Sequence, residues 1–235
     1  MTNQRPAFPG PWLGGISLIL GPALMLTGML LRFGVPFFFP HQLAAYQDRP
    51  ESMGAAYAVF LAGVIALWPG ILVLATRIAE TRPGWAAWGG ALVLSGLFAR
   101  AFHGGANTFA LALTDSAGVE AATKAVASYY TFPEWVVSSL SLSVMAGWIV
   151  LAIGGLLSRV LRPWSAVALA LPAGLMIGVL KGADWLTIVE LIGLAVALVP
   201  LGVAELRRAP RPSHRVAAPL AVLFLVASVV LGRLG

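Results

Sequence analysis

Long apolar runs, each close to the length of a membrane-crossing helix, fill most of this sequence. A helix needs about 20 apolar residues to cross the hydrocarbon core of a bilayer, and seven segments reach or approach that length. We therefore predict an all-α, polytopic membrane helix bundle with about seven transmembrane helices, or six if one run does not cross. It forms a single transmembrane domain over residues 1–235. The predicted spans are residues 12–31, 55–79, 85–114, 133–158, 163–180, 184–206 and 216–231.

The scarcity of charge supports the membrane class. Charged residues make up 10% of the chain and hydrophobic residues 59%, whereas a soluble domain carries roughly 25% charge. The chain has no cysteine, which excludes disulfides, thiolate catalysis and zinc–thiolate sites. Its three histidines, His41, His103 and His214, are scattered. We therefore predict no metal and no cofactor.

The basic residues lie unevenly on the two sides of the predicted bundle. Nine belong to one side and five to the other, with Arg100 left inside the membrane. The positive-inside rule places the nine-residue side, and the N-terminus, in the cytoplasm. We read the net charge of +6 as a membrane-orienting pattern and predict no nucleic-acid partner. The first run exceeds the 7–15 residues of a signal-peptide core, so we expect a retained helix in a multi-pass protein of the bacterial inner membrane.

Polar side chains interrupt the third run in a regular pattern. Arg100, His103 and Asn107 stand at i, i+3 and i+7, so a helix presents them on one face. A charged residue inside a span is costly, and it usually faces the protein interior or a water-filled cavity. We therefore expect the other helices to be arranged around this polar stripe.

Two other runs carry acidic residues at a depth that matches the stripe. Glu190 lies in the run 184–206, and Glu134 lies one helical turn before Ser138 in the run 133–158. One interpretation is a structural ion pair between Arg100 and Glu190. The other is an outward-facing polar pocket in which the stripe and Ser138 bind a ligand. If the protein is an enzyme, Glu190 and Glu134 are its candidate acid–base residues.

Local signals refine the predicted helices. The tripeptide Trp68-Pro69-Gly70 predicts a kink, because a proline inside a helix removes a backbone hydrogen bond. Three phenylalanines between Pro36 and Pro40 indicate an aromatic anchor at the lipid interface. Residues 116–130 resemble a helix that lies on the membrane surface.

Three glycines at four-residue spacing close the predicted fifth span. Gly174, Gly178 and Gly182 form two overlapping GxxxG steps, which allow another helix backbone to approach closely. We expect this face to pack against a neighbouring helix or to mediate a helix–helix oligomer.

Several segments give the chain a loose likeness to known proteins. LWPGILVLA, GLFARAFHGG and LMIGVLKG resemble the uncharacterised multi-span membrane proteins of high-GC Gram-positive bacteria, a likeness that implies no activity. In size and span number the chain also resembles integral-membrane terpene cyclases. That family's local sequence around its acidic residues is missing here, so the resemblance assigns no residue a role.

Known membrane chemistries are mostly absent from the sequence. It has no HExxH pair, no GxSG-type serine motif and no phosphate-binding loop. The leading hypothesis is therefore a membrane protein that binds a lipophilic small molecule from the bilayer, for sensing, immunity or export support. The alternative is a membrane-embedded acid–base enzyme such as a terpene-cyclase-like cyclase or isomerase. A third possibility is a structural partner subunit.

Overall fold

The computed structural model describes residues 8–133 and 135–210 of the chain. Within those ranges the protein is helical, and its one β-type contact is an isolated bridge between Phe33 and Ala183. Glu134 and the predicted seventh span, residues 216–231, lie outside the described residues. The helices are α1 (Gly10–Leu31), α2 (Phe39–Asp48), α3 (Pro50–Ala66), α4 (Trp68–Ala79), α5 (Pro83–Thr131), α6 (Trp135–Leu157), α7 (Pro163–Ala170) and α8 (Trp185–Arg208), with a 3-10 turn (Leu171–Gly174) after α7.

Five helical stretches are long and apolar enough to cross a membrane. They correspond to five of the seven predicted spans, with α3 and α4 acting as one stretch. This confirms a helical membrane bundle as the class of the described chain. The five stretches are Gly10–Leu31, Pro50–Ala79, Pro83–Thr131, Trp135–Leu157 and Trp185–Arg208.

The prediction of a continuous span over residues 163–180 is wrong. Helix α7 ends at Ala170, a single 3-10 turn follows, and residues 175–184 are irregular. Pro172 cannot donate a backbone hydrogen bond, and its ring crowds the carbonyl four residues earlier. Gly178 then takes a φ of 155°, which side-chain-bearing residues rarely adopt. We call residues 175–184 the broken segment.

The three spaced glycines therefore do not form one helix face. Each of them instead allows a close approach to a different neighbour: Gly174 to the Glu190 carboxylate, and Gly178 to the Tyr130 hydroxyl. A Cβ atom on Gly182 would come within 2.7 Å of the Gln42 side chain. The GxxxG prediction is thus corrected. The 3-10 turn and the broken segment that follows it bring the three glycines against three separate elements, α8, α5 and α2.

One end of the bundle is covered by a second layer, which we call the cap: α2, residues 119–131 and the broken segment. The 49-residue helix α5 reverses at Gly118, where φ is 87° and ψ is 164°. Its final part, residues 119–131, returns along the helix and buries Ala122 and Val126. The predicted surface helix is therefore helical, but it is packed into the cap.

The connection between α1 and α2 also contacts the cap. The Phe37 carbonyl accepts a hydrogen bond of 2.7 Å from the Gly182 amide, and the Lys181 ammonium lies 5.2 Å from the centre of the Phe38 ring. Tyr46 of α2 donates to Asp115 of α5 at 2.8 Å, and this hydrogen bond raises the pKa of Tyr46. These contacts join the phenylalanine-rich connection and α2 to α5 and the broken segment.

The predicted kink at Pro69 is confirmed, and α1 stabilises it. Helix α3 ends at Ala66 and α4 begins at Trp68. The Ser17 hydroxyl of α1 stands between two backbone groups that a regular helix would join directly. It donates to the Ala66 carbonyl and accepts from the Gly70 amide at 2.6 Å. The kink therefore leaves neither group without a partner.

Replacing Ser17 with alanine should destabilise the bundle by about 2 kcal/mol, because a buried donor and a buried acceptor lose their common partner. Ser143→Ala is the matched control, since the Ser143 hydroxyl bonds only within α6 at an exposed site, and it should change stability by less than about 0.5 kcal/mol. Unfolding in a mixed-detergent titration measures both. Equal stability of the two variants would contradict the bridging role of Ser17.

The end of the bundle opposite the cap is held by an ion pair between α4 and α8. Arg77 donates to both carboxylate oxygens of Glu205 at 2.9 Å each. Glu205 is buried, while about a third of the Arg77 side chain is exposed. Arg77 also contacts Glu80 at 3.5 Å, where the Glu80 side chain is 62% exposed. The Glu205 contact is therefore the one that fixes the helices.

We expect Glu205→Gln to lower stability by about 2 kcal/mol, because it removes the negative charge of the buried partner of Arg77. This value is at the low end for a buried ion pair, since Arg77 is partly exposed to solvent. Glu80→Gln removes a carboxylate from the same arginine at an exposed site and should cost less than about 0.5 kcal/mol. Thermal unfolding in detergent compares the two. A larger effect from Glu80→Gln would overturn this assignment.

Candidate functional site

The polar stripe of α5 faces the broken segment, and Arg100 makes the strongest contacts to it. Arg100 is buried, and it donates to the carbonyls of Leu175 at 2.6 Å and Met176 at 3.3 Å. Backbone groups that are buried outside regular helix need other hydrogen-bond partners within the protein. The arginine side chain provides two such partners. Arg100 therefore holds the broken segment in place.

Two further cap contacts satisfy the same segment. The Asn107 side-chain carbonyl accepts a 2.7 Å hydrogen bond from the Leu180 amide. The Tyr130 hydroxyl donates to the Val179 carbonyl at 2.8 Å. The stripe prediction is thus confirmed in its geometry, since Arg100 and Asn107 reach one neighbouring element from one helix face.

His103 lies between Arg100 and Asn107, and its hydrogen bonds indicate the protonation of its ring. Its Nδ1 atom is 2.8 Å from the Ala99 carbonyl, which can only accept, so Nδ1 carries the proton. In the neutral ring, Nε2 then accepts from the Tyr129 hydroxyl at 3.3 Å. Tyr129 belongs to the returning part of α5, so the histidine links that part to the bundle.

The predicted ion pair between Arg100 and Glu190 does not form. Glu190 is buried beside Gly174, and it has no hydrogen bond or ion pair with any residue in the described ranges. The two charges do remain within electrostatic range of each other. The carbonyls of the broken segment stand closer to the guanidinium and take its donors, so the direct pair is replaced by contacts to backbone.

Two cavities meet at His103. The inner cavity has a volume of about 30 Å³, and it is cationic because three basic side chains line it among apolar ones. The outer cavity has a volume of about 240 Å³ and mixes aromatic, aliphatic and hydroxyl groups. His103, Ile177 and Gly178 line both of them. The inner cavity is lined further by Met29, Arg32, Tyr57, Phe60, Leu61, Arg100, Gly104, Asn107, Met176 and Lys181, and the outer one by Tyr129, Tyr130, Phe132, Val137, Ser138 and Ser141.

The structure brings most of the predicted site residues to these cavities. Arg100, His103 and Asn107 line the inner one, and Ser138 lines the outer one with His103. Glu190 lines neither cavity. Glu134 lies outside the described residues, so its assignment stays a prediction.

Sequence reasoning missed two cations of the inner cavity, Arg32 and Lys181. Both lie just outside predicted apolar runs, where a basic residue is ordinary. A signal was present, because both belong to the less basic side of the bundle. The positive-inside rule gives no reason for a cation there, and a residue without a topological role is a candidate for a functional one.

Comparison with known proteins returned no matching protein family, curated protein or solved structure. Within the described ranges, no group of three or more histidine, aspartate or glutamate side chains is placed to hold a metal ion. The interpretation of the site therefore depends on its own geometry.

Asn107→Leu should expose the Leu180 amide to faster hydrogen exchange, because the substitution removes the acceptor that holds it. Asn107→Asp retains an acceptor oxygen at the same position and should keep the amide protected. Exchange monitored by mass spectrometry on peptides that cover the broken segment measures the difference. Equal protection in both variants would show that this side chain does not hold the segment.

Proposed function

We propose that this protein binds a lipophilic small molecule in a polar pocket within the membrane. The observation that carries the proposal is the pair of adjoining cavities at His103, one lined by three cations and a larger one lined by aromatic, aliphatic and hydroxyl groups. They lie beside the broken segment. Irregular backbone at membrane depth is tolerated where it is buried in protein or lines a cavity, and broken helices often form the binding sites of membrane proteins.

The sizes of the cavities suggest how such a ligand lies. The inner cavity of about 30 Å³ holds two or three water molecules at roughly 10–15 Å³ each. It is therefore too small for a whole ligand and suits one polar group. The outer cavity of about 240 Å³, with walls from Phe132, Val137 and Ile177, suits an apolar body that continues toward the lipid.

The pocket lies at the cap end of the bundle, away from the cluster formed by Arg77, Arg159, Arg162 and Arg208. Under the positive-inside rule, that arginine-rich end is cytoplasmic. We therefore propose that the pocket opens outward in the bacterial inner membrane. Such a position suits a protein that senses a membrane-soluble compound, confers immunity to it or supports its export.

The alternative, an acid–base enzyme, needs an acid at the cavity wall. Glu190 lines neither cavity, and in the described residues His103 is the imidazole or carboxyl group that touches both. Its hydrogen bonds to Ala99 and Tyr129 engage both ring nitrogens. The geometry therefore favours binding over acid–base chemistry.

Filling the outer cavity tests the proposal. Ser138 and Ser139 are adjacent, exposed residues of α6, but only Ser138 is among the residues that line the outer cavity. Ser138→Trp should occupy the cavity, while Ser139→Trp places the same ring about 100° around the helix. The probes are dodecanol and dodecyl phosphate, added to the protein in a neutral detergent.

At least one probe should raise the unfolding temperature of the wild-type protein and of Ser139→Trp in a saturable way, because a ligand that binds only the folded state stabilises it. Ser138→Trp should lose this effect. The proposal fails if neither probe binds saturably, or if both tryptophan variants respond as the wild type does.

A further inference from the structure

Three cations line the inner cavity, and no acidic residue in the described ranges lines it with them. They are Arg32, Arg100 and Lys181. Each comes from a different element: the C-terminal end of α1, the middle of α5 and the broken segment. A concentration of like charge within a membrane bundle is costly. Other interactions must offset this electrostatic cost.

The burial of Arg100 is explained by its hydrogen bonds. Its two terminal nitrogens donate to the carbonyls of Leu175 and Met176, so its donors stabilise the broken segment. In the described residues, Arg32 and Lys181 donate no such hydrogen bond to a backbone carbonyl.

Arg32 is buried, with 2% of its surface exposed, and within the described residues its side-chain contacts are to neutral groups. Its Nη2 and Nε atoms point to the sulfur of Met29, a weak acceptor, at 2.8 and 3.3 Å. The guanidinium lies 4.2 Å from the centre of the Tyr57 ring and 5.2 Å from that of Phe60. Its Nη1 atom is buried with no hydrogen-bond partner among the residues that the structure describes. A guanidinium with five donors is thus left incompletely satisfied.

Lys181 is held in the same manner. Its ammonium lies 5.0 Å from the centre of the Tyr130 ring, 5.2 Å from Phe38 and 5.7 Å from Phe37. In the described residues it forms no ion pair. Aromatic ring faces stabilise the position of a cation by cation–π attraction but do not neutralise it. The charge therefore remains available to a ligand.

We infer that the inner cavity binds an anionic group, a phosphate or a carboxylate, held by Arg32 and Lys181. This inference rests on the proposed function and specifies its ligand: an amphiphile whose anionic end enters the inner cavity while its apolar body occupies the outer one. Charge-assisted hydrogen bonds from a guanidinium and an ammonium are about twice as strong as neutral ones, and the anion offsets the uncompensated charge of the cavity.

The chain offers a matched pair of lysines for the test. Lys181 lines the inner cavity, whereas Lys124 is exposed on the returning part of α5 and lines neither cavity. They are the two lysines of the sequence. Lys181→Gln is the main variant, because the residue is partly exposed in irregular backbone and its loss should leave the protein folded. Arg32→Met is the second variant, and Lys124→Gln is the control.

Four probes separate the contributions of charge and chain: dodecyl phosphate, dodecanol, dodecyltrimethylammonium and inorganic phosphate. Calorimetric titration in neutral detergent at constant ionic strength gives the dissociation constants. We expect dodecyl phosphate to bind the wild type at least about tenfold more tightly than dodecanol, and dodecyltrimethylammonium not to bind. Lys181→Gln should lower the preference for dodecyl phosphate over dodecanol about tenfold, while Lys124→Gln should leave it unchanged.

The possible outcomes distinguish the two proposals. If dodecanol binds as tightly as dodecyl phosphate and Ser138→Trp blocks both, the lipophilic pocket stands and the anion inference is overturned. If inorganic phosphate binds in a Lys181-dependent way and the dodecyl chain adds no affinity, the anion inference stands and the lipophilic proposal fails. A preference for dodecyl phosphate that is unchanged in both Lys181→Gln and Arg32→Met would also overturn the inference.

Discussion

The need to satisfy ten residues of irregular backbone packed against the helix bundle organises this structure. Residues 175–184 do not continue α7 beyond Pro172, and their buried amides and carbonyls need partners outside a regular helix. Arg100, Asn107 and Tyr130 supply those partners from α5. The reversal of α5 at Gly118 brings Tyr130 within reach. The cap, the broken segment and the polar stripe therefore form one mutually dependent unit.

This arrangement gives the three cations of the inner cavity different roles. Arg100 is occupied by backbone, so its charge serves the fold. Arg32 and Lys181 contact aromatic rings and sulfur instead, which position the charges without neutralising them. His103 stands where the cationic cavity meets the larger one.

Hydropathy and local signals predicted the five long helical stretches, the kink at Pro69 and the shared face of Arg100 and Asn107. These features depend on near neighbours in the chain, or on the general cost of polar groups in lipid. The predicted span 163–180 failed because average hydropathy does not register how Pro172 and the following glycines interrupt a helix. The predicted pair of Arg100 with Glu190 failed because depth alone does not tell which acceptor stands nearest.

The sequence by itself determined that the described chain is a helical membrane bundle with a buried polar stripe, since apolar length and helical periodicity are local properties. Only the tertiary structure decided what the stripe contacts. The carbonyls that Arg100 binds lie 75 and 76 residues away along the chain, and the approach of Arg32 and Lys181 to one cavity requires α1 and the broken segment to meet. Such contacts arise from packing between elements that are distant in the sequence, and only the assembled bundle brings them together.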